Sequence, residues 1–349
     1  MKDIAGIIFS GDCFRSTDGQ PEQIDNVMWL ERKIGTLLSD LTGKPHATRM
    51  PLVGETVSDL LSLQAAGLTP SLDTWAALFW DHASAQLIRH IGDLHANNLI
   101  VTIEMSPITQ DALDRANVPW IDVSISPLRF MPDWAFHIKA SSHFDLGVAA
   151  DMVLSQAQLD EYVHHVRTWY GAVDVDEPTL VFFGQTLRDR TLISNNGFAG
   201  QDDVLETIEG LRAGRPMLIK PHPWQPTSDI VDALVRAGGK VTDLNTYALL
   251  SSTPIAVASL SSSVGREARL FGRQVTTISP LVQDWAFSGV DVLHHALSPR
   301  FWGALLASAG IPVQSAPESN WGPNVLRGSI PPQGLDPAVW GGDASVLRA

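Results

Sequence analysis

The chain has 349 residues, 44% of them apolar and 18% charged, with a net charge of -14 and a pI near 5.1. That length is enough for two cores of ordinary size, the composition is globular rather than disordered, and the acidity argues against a general nucleic-acid binder, which needs a basic face. A single cysteine, Cys13, excludes an internal disulfide and fits a reducing cytoplasm. The opening MKDIAGIIFSGD carries no secretory pattern, and no run of eighteen apolar residues is present to span a bilayer.

IAGIIFS (4–10) predicts a buried first strand. Residues 72–95 place Trp75, Leu78, Phe79, Ala83, Leu87 and Ile91 at helical spacing and predict one helix. Strands are expected at 98–104 and 118–126, with a helix opened by PITQDALDRAN between them, an alternation that implies a parallel sheet. A long helical region follows, clearest at 154–172, and the polar VDVDEP (173–178) marks a boundary. Beyond it, strands at 179–185, 216–220, 254–259 and 274–279 alternate with helices at 201–214, 227–239 and 261–272. Residues after about 311, rich in Pro, Gly and Ser, read as an irregular tail packed on the body. The expected organisation is α/β: Rossmann-like units at 1–172 and 173–310 and a tail at 311–349. Two such units facing across a cleft form the GT-B glycosyltransferase architecture.

Three loops of the second unit each follow a predicted strand: GQTLRDR (184–190), KPHP (220–223) and SLSSSVGREA (259–268). Strand ends of a parallel sheet open on one edge, where ligands bind. Pro221 and Pro223 restrict the backbone around His222 and hold it just past an apolar strand. Ser261, Ser262 and Ser263 precede a helix, whose first N–H groups and positive dipole end favour a phosphate. The bland reading of the serines is a helix cap, and of His222 an ordinary hydrogen-bonded histidine. Lys220 reads either as a cation for the same site or as a strand-end lysine turned to water. Asp189, between Arg188 and Arg190, is either a surface ion-pair member or a carboxylate kept ionised for nucleophilic attack. DVD (174–176) lies in a linker, and the pairs His164–His165 and His294–His295 lack metal-site spacing, so no metal is expected. There is no GxGxxG, GxxxxGK[ST] or GxSxG.

The ordered set of a strand ending in GQ with a nearby Asp, then KPHP, then S-L-S-S-x-x-x-x-E-A-x-x-x-G resembles bacterial capsule and O-antigen glycosyltransferases, most closely the retaining β-Kdo transferases that use CMP-Kdo. The HP and serine motifs are also similar to those of sialyltransferases that use CMP-sialic acid. The resemblance covers about residues 179–285, and the first unit only through IEMSP (103–107) and WIDVSISPLRF (120–130). It implies an acceptor-side first unit and a nucleotide-sugar second unit. His222 would bind the CMP phosphate, with Ser261 to Ser263 cradling it and Gln185, Arg188 and Lys220 lining the donor site. Asp189 would be the nucleophile of a metal-free double displacement giving net retention. The acceptor would be a bacterial surface glycan, carried on lipid at the inner face of the inner membrane, and the chain could be one module of a longer polypeptide. Glu104, ending a strand, and Asp122 are the candidates for the base that activates the acceptor hydroxyl. Arg129 and Arg15 could meet the donor carboxylate or the acceptor. Alternatives are an enzyme using another CMP-nonulosonate, a non-catalytic nucleotide- or glycan-binding module of the same fold, and a nucleotide-sugar epimerase.

Overall fold

The computed structural model describes residues 4–15, 23–50, 56–131, 135–175, 177–186, 190–194, 197–198, 201–222, 225–278, 288–293 and 297–315, with the backbone alone at 23, 25 and 201–203. The first part of the chain runs β1 (Gly6–Ser10), α1 (Gln23–Thr42), β2 (His46–Thr48), α2 (Val57–Gln64), α3 (Leu72–Leu78), α4 (Ala85–His95), β3 (Asn98–Ile103), α5 (Pro107–Arg115), β4 (Trp120–Ile125), β5 (Ala135–Ala140) and α6 (Gln156–Tyr170). It continues with β6 (Thr179–Phe183), β7 (Ile193–Ser194), β8 (Gly197–Phe198), α7 (Gln201–Arg212), β9 (Met217–Lys220), α8 (Asp229–Arg236), β10 (Lys240–Val241), α9 (Thr246–Ser251), β11 (Ile255–Ser259), α10 (Val264–Leu270), β12 (Gln274–Thr277), β13 (Val290–Leu293) and α11 (Pro299–Ser308).

Two separate sheets carry the fold. The first has the order β13-β5-β4-β3-β1-β2, parallel from β4 to β2, with β5 and β13 added antiparallel. The second, β10-β9-β6-β11-β12, is parallel throughout. In each, the first strand in sequence lies inside the sheet and the chain winds out to both sides. The order therefore reverses between β1 and β3 in one sheet and between β6 and β11 in the other, and ligands of open α/β sheets bind at the carboxyl ends beside such reversals. This is the expected pair of Rossmann-like units.

The strands are apolar because both of their faces are covered. On one face of the first sheet, Ile7, Phe9, Leu99, Val101, Ile121 and Val123 pack on α1 and α11, including Leu37, Leu38, Phe301 and the fully buried Trp302. Its other face, with Ile8, Ile100 and Trp120, is covered by α2 to α5. α7 and α8 cover one face of the second sheet. The opposite face meets α6, α9 and α10, together with Leu128, Phe130 and Met131 from the loop after β4.

Several sequence expectations are corrected here. The single helix expected at 72–95 is two: Ser84 starts α4 by accepting from Leu87 N–H, and Asp111 holds Ala83 N–H at 2.8 Å, so the chain turns between α3 and α4. The expected long helical region before 154 contains strand β5 and a 3-10 segment at Leu146–Met152. The 172/173 boundary does not separate the two sheets' coverings. Leu159, Val163 and Val166 of α6 pack on the second sheet, whereas β13 pairs with β5 and α11 covers the first. β13 and α11 thus belong with the first sheet, although Leu293 at the end of β13 also packs in the second sheet's core. Ile311 joins that same core and Gln314 N–H donates to Leu41 O at 2.7 Å, while 316–349 lie outside the described residues.

Candidate functional site at the facing sheet edges

At the carboxyl edge of the second sheet, the loops after its two central strands are tied together by one amide. Gln185 follows β6 and is buried. Its Oε1 accepts from Ser261 N–H at 2.9 Å, and its Nε2 donates to Ser261 Oγ at 3.0 Å and to Thr191 Oγ1 at 2.9 Å. Ser261, also buried, follows β11, so this bridge spans the strand-order reversal. The loop after β9 is pulled equally close. Gly184 N–H donates to Lys220 O at 2.9 Å, and a Cβ on Gly184 would lie 3.2 Å from the His222 nitrogen and 3.4 Å from Pro221 Cα, so a side chain there would wedge the two loops apart.

The structure sorts the candidate donor-site residues. Ser261 faces Gln185, while Ser262 Oγ accepts from Val264 N–H at 3.4 Å. Ser263 takes the N-cap position of α10 in a helical conformation without a side-chain cap bond. His222 is half-buried beside Gly184, and its carbonyl accepts from Gln225 N–H at 3.0 Å. Lys220 is not brought to the serine loop: its ammonium donates to Asp243 O at 3.1 Å, after β10 and away from the reversal. Burial lowers its pKa, with Asp243 opposing. Arg188 and Asp189 lie outside the described residues.

The first sheet presents acids at its edge. Asp12, after β1, accepts from Trp75 Nε1–H at 3.1 Å, Thr109 Oγ1–H at 3.1 Å and Phe14 N–H at 3.0 Å. It is buried structural scaffolding. Beside it the buried Cys13 thiol is pushed up to about 12, by burial first and Asp12 second, which leaves it an unreactive thiol. Arg15 lies over the Trp75 ring, 5.3 Å from its centroid. Asp122 lies inside β4, buried, and its Oδ1 accepts from Thr102 Oγ1–H at 2.8 Å and Met105 N–H at 3.0 Å. It thereby fixes the turn that carries Glu104. Glu104 itself has φ 55, a left-handed conformation uncommon for a residue with a side chain.

The two edges face one another, as direct contacts show. Arg190, in the loop after β6, reaches Glu104 at 3.4 Å. Glu267 of α10 accepts with Oε1 from Arg129 N–H at 2.5 Å, Phe130 N–H at 3.2 Å and Tyr247 Oη–H at 3.3 Å. Burial pushes its pKa up to about 7 against these hydrogen bonds and the Arg129 charge. Phe130 stands edge-on to Phe271 at 5.8 Å in the same contact. Arg266, next on α10, pairs with Asp291 of β13, whose Oδ1 also lies 3.0 Å from His137 Nδ1. Because Gly289 N–H donates to His137 Nε2 at 2.9 Å, the ring proton sits on Nδ1 and is given to Asp291. Burial opposes ionisation of Asp291, yet His137 and Arg266 hold it below the usual carboxylate range.

Sequence reasoning missed these ties. Glu267 was visible as the acid of the serine motif, six residues after Ser261, but its partners Arg129 and Phe130 lie far off in sequence. Lys139, opposite Asp122 in the β4–β5 register, carried no motif at all. Among the described residues no cluster of His, Cys, Asp and Glu is arranged to hold a metal ion, and no helix is long and apolar enough to cross a membrane.

Fold and site together define a two-unit α/β protein of the GT-B arrangement. No protein-family model matches the chain, and no curated protein matches it. Among solved structures it is similar to KpsC, a beta Kdo 2,7 transferase of Thermosulfurimonas dismutans, at 14% identity over 56% of this chain and 69% of that one, with a TM-score of 0.39. It is also similar to the UDP-GlcNAc 2-epimerase of Neisseria meningitidis bound to UDP-GlcNAc, at 10% identity over 78% and 82% of the two chains, TM-score 0.29. A third is the Methanocaldococcus jannaschii UDP-GlcNAc 2-epimerase in complex with UDP-GlcNAc and UDP, at 10% identity over 95% and 96%, TM-score 0.28. The strand orders and edge contacts described above stand on the chain's own hydrogen bonding.

Proposed function

We propose that this chain is a retaining glycosyltransferase that moves Kdo from CMP-Kdo to a bacterial surface glycan. The observation that carries the reading is the meeting of the GQ, His222 and serine loops at the carboxyl edge of the second sheet, with Arg190 of the GQ loop reaching Glu104 of the first unit. His222 and the hydroxyls of Ser262 and Ser263 bind the single phosphate of the CMP-sugar. Gln185 and Ser261 hold their loops in place. Fixed hydrogen-bond donors of this kind stabilise CMP as it departs.

Asp189 is the nucleophile in this reading. Its carboxylate attacks the anomeric carbon, a C–O bond to the enzyme forms, and the C–O bond to phosphate breaks with its electron pair leaving on CMP. The acceptor hydroxyl then attacks the same carbon, gives its proton to Glu104 and displaces Asp189, so two inversions give retention. Glu104 is the base because it is partly exposed at the gap, while Asp122 is buried in the strand beneath it. The acceptor is carried on lipid at the inner face of the inner membrane, where the chain acts without a metal.

Intact mass after brief incubation with CMP-Kdo tests the reading. Wild-type protein gains one Kdo residue and Asp189→Asn does not. If no adduct forms and no CMP is released with any acceptor, the Kdo assignment falls. An adduct from another CMP-nonulosonate would move the donor assignment to that sugar, and release of free UDP-sugar isomers would identify an epimerase instead.

A further inference from the structure

Arg190 stands out among the cations of the molecule. Its side chain is only 8% exposed, yet it projects from the second unit onto the carboxyl edge of the first. Among the described residues its acidic partner is Glu104, at 3.4 Å, well beyond the roughly 2.7–2.9 Å of a charge-assisted hydrogen bond. A guanidinium carries five N–H groups in a planar fork. Burying it is costly unless those groups are matched, and one loose contact matches few of them.

The surroundings are rich in positive charge. Arg129, whose first acidic partner is Glu267, also lies within electrostatic reach of Glu104. Lys139 approaches from β5, and burial first, with Arg190 adding, lowers its pKa to about 8 against the pull of Asp122. Asp122 already accepts two hydrogen bonds through Oδ1. Glu267 is taken up by two backbone N–H groups and a tyrosine hydroxyl. The fork of Arg190 thus lies at the facing edges beside a left-handed glutamate, held to it by a single 3.4 Å contact among the described residues.

We infer that Arg190, beside Glu104, binds the carboxylate of an acidic sugar donor, with Arg129 adding to the local positive charge, and so selects 2-keto sugar acids over neutral sugars. The inference rests on the glycosyl-transfer reading above. In such a sugar the carboxylate is bonded to the anomeric carbon. A cation holding it therefore sits next to the reacting bond, and Arg190 beside Glu104 occupies such a place. Bidentate pairing would also fix the rotation of the sugar about its carboxyl-bearing carbon.

Calorimetric titration with CMP and with CMP-Kdo, in an Asp189→Asn background that blocks turnover, tests the assignment. CMP-Kdo should bind at least tenfold more tightly than CMP, and Arg190→Gln should erase that ratio while leaving CMP affinity unchanged. Arg190→Lys should restore part of it, and Arg129→Gln should reduce it. A donor analogue with a neutral carboxamide in place of the carboxylate gives the same answer without altering the protein: it should bind no better than CMP. If CMP binds but the ratio survives Arg190→Gln, or the carboxamide binds like CMP-Kdo, the carboxylate site is wrong and the transferase reading stands. If neither CMP nor CMP-Kdo binds, both fall.

Discussion

The two facing sheet edges are built from opposite materials. The second sheet's edge is held by a neutral amide and hydroxyls, Gln185 with Ser261 and Thr191, which cost little to bury once paired. The first sheet's edge is held by ions: Asp12, Asp122 and Lys139 are all buried there, and Glu104 stands half-exposed among arginines. Paired amide and hydroxyl groups of this kind offer hydrogen-bond donors to an anion. An ionic edge can supply or take a proton. On the reading proposed above, the second unit binds the leaving group and the first takes the acceptor proton.

Changing one edge at a time breaks or sharpens this contrast. Glu104→Gln should give the largest effect, a fall in transfer of about 10²–10⁴-fold with CMP affinity retained, measured as CMP release in the presence of acceptor. Loss of CMP binding in this variant would dissolve the division of labour. Gln185→Ala acts on the neutral edge and should cost about 1–3 kcal/mol in chemical denaturation by removing the hydrogen bonds that the Gln185 amide makes with Ser261 and Thr191. It should weaken CMP binding as well, because the serine loop loses its brace.

The smallest effect concerns the contact between the edges. Glu267 has its pKa raised from 4.5 to about 7, so the fold favours its protonated form. Its contribution to stability is full below about pH 4.5 and is lost as pH rises through about 7, at roughly 1 kcal/mol per pH unit where steepest. Lys139, lowered to about 8, changes stability above this window, and Asp291, held low, changes it below. Denaturation midpoints of the wild type should therefore fall between pH 5 and 7. Glu267→Gln, whose amide oxygen can still accept from Arg129, Phe130 and Tyr247, should flatten that decline. An unchanged slope would place the titrating group elsewhere.

How much of this was legible depended on whether a residue's partner lay nearby in sequence. The central strands β3, β4, β6, β9 and β11 are short apolar runs followed by turn residues, and each was readable within a few residues of its ends. Helix α1 carried a readable stripe in Val27, Leu30, Ile34, Leu38 and Leu41, all buried, but no strand signal followed to frame it. β5 and β13 were not readable. AFHIKA and VDVL mix charged and apolar residues, and their pairing joins positions about 150 residues apart, as in His137 with Asp291. The site divided the same way. The serine, KPH and GQ loops announced themselves by motif. The pairing of Glu104 with Arg190, and of Glu267 with the loop after β4, arises only when two sheets meet.

The exchange of α6 for β13 and α11 has a consequence for how such a chain can be cut and recombined. Neither half is a contiguous stretch of sequence. A piece ending near residue 172 would carry α6 with no sheet beneath it, and would lack both the strand that completes its own sheet and the Trp302 side chain that fills its core. The complementary piece would expose Trp302 and leave Val181 and Val257 uncovered where α6 packs. The two units therefore stand or fall as a pair, and variation that exchanges one sheet edge for another must spare the crossing segments on both sides of it.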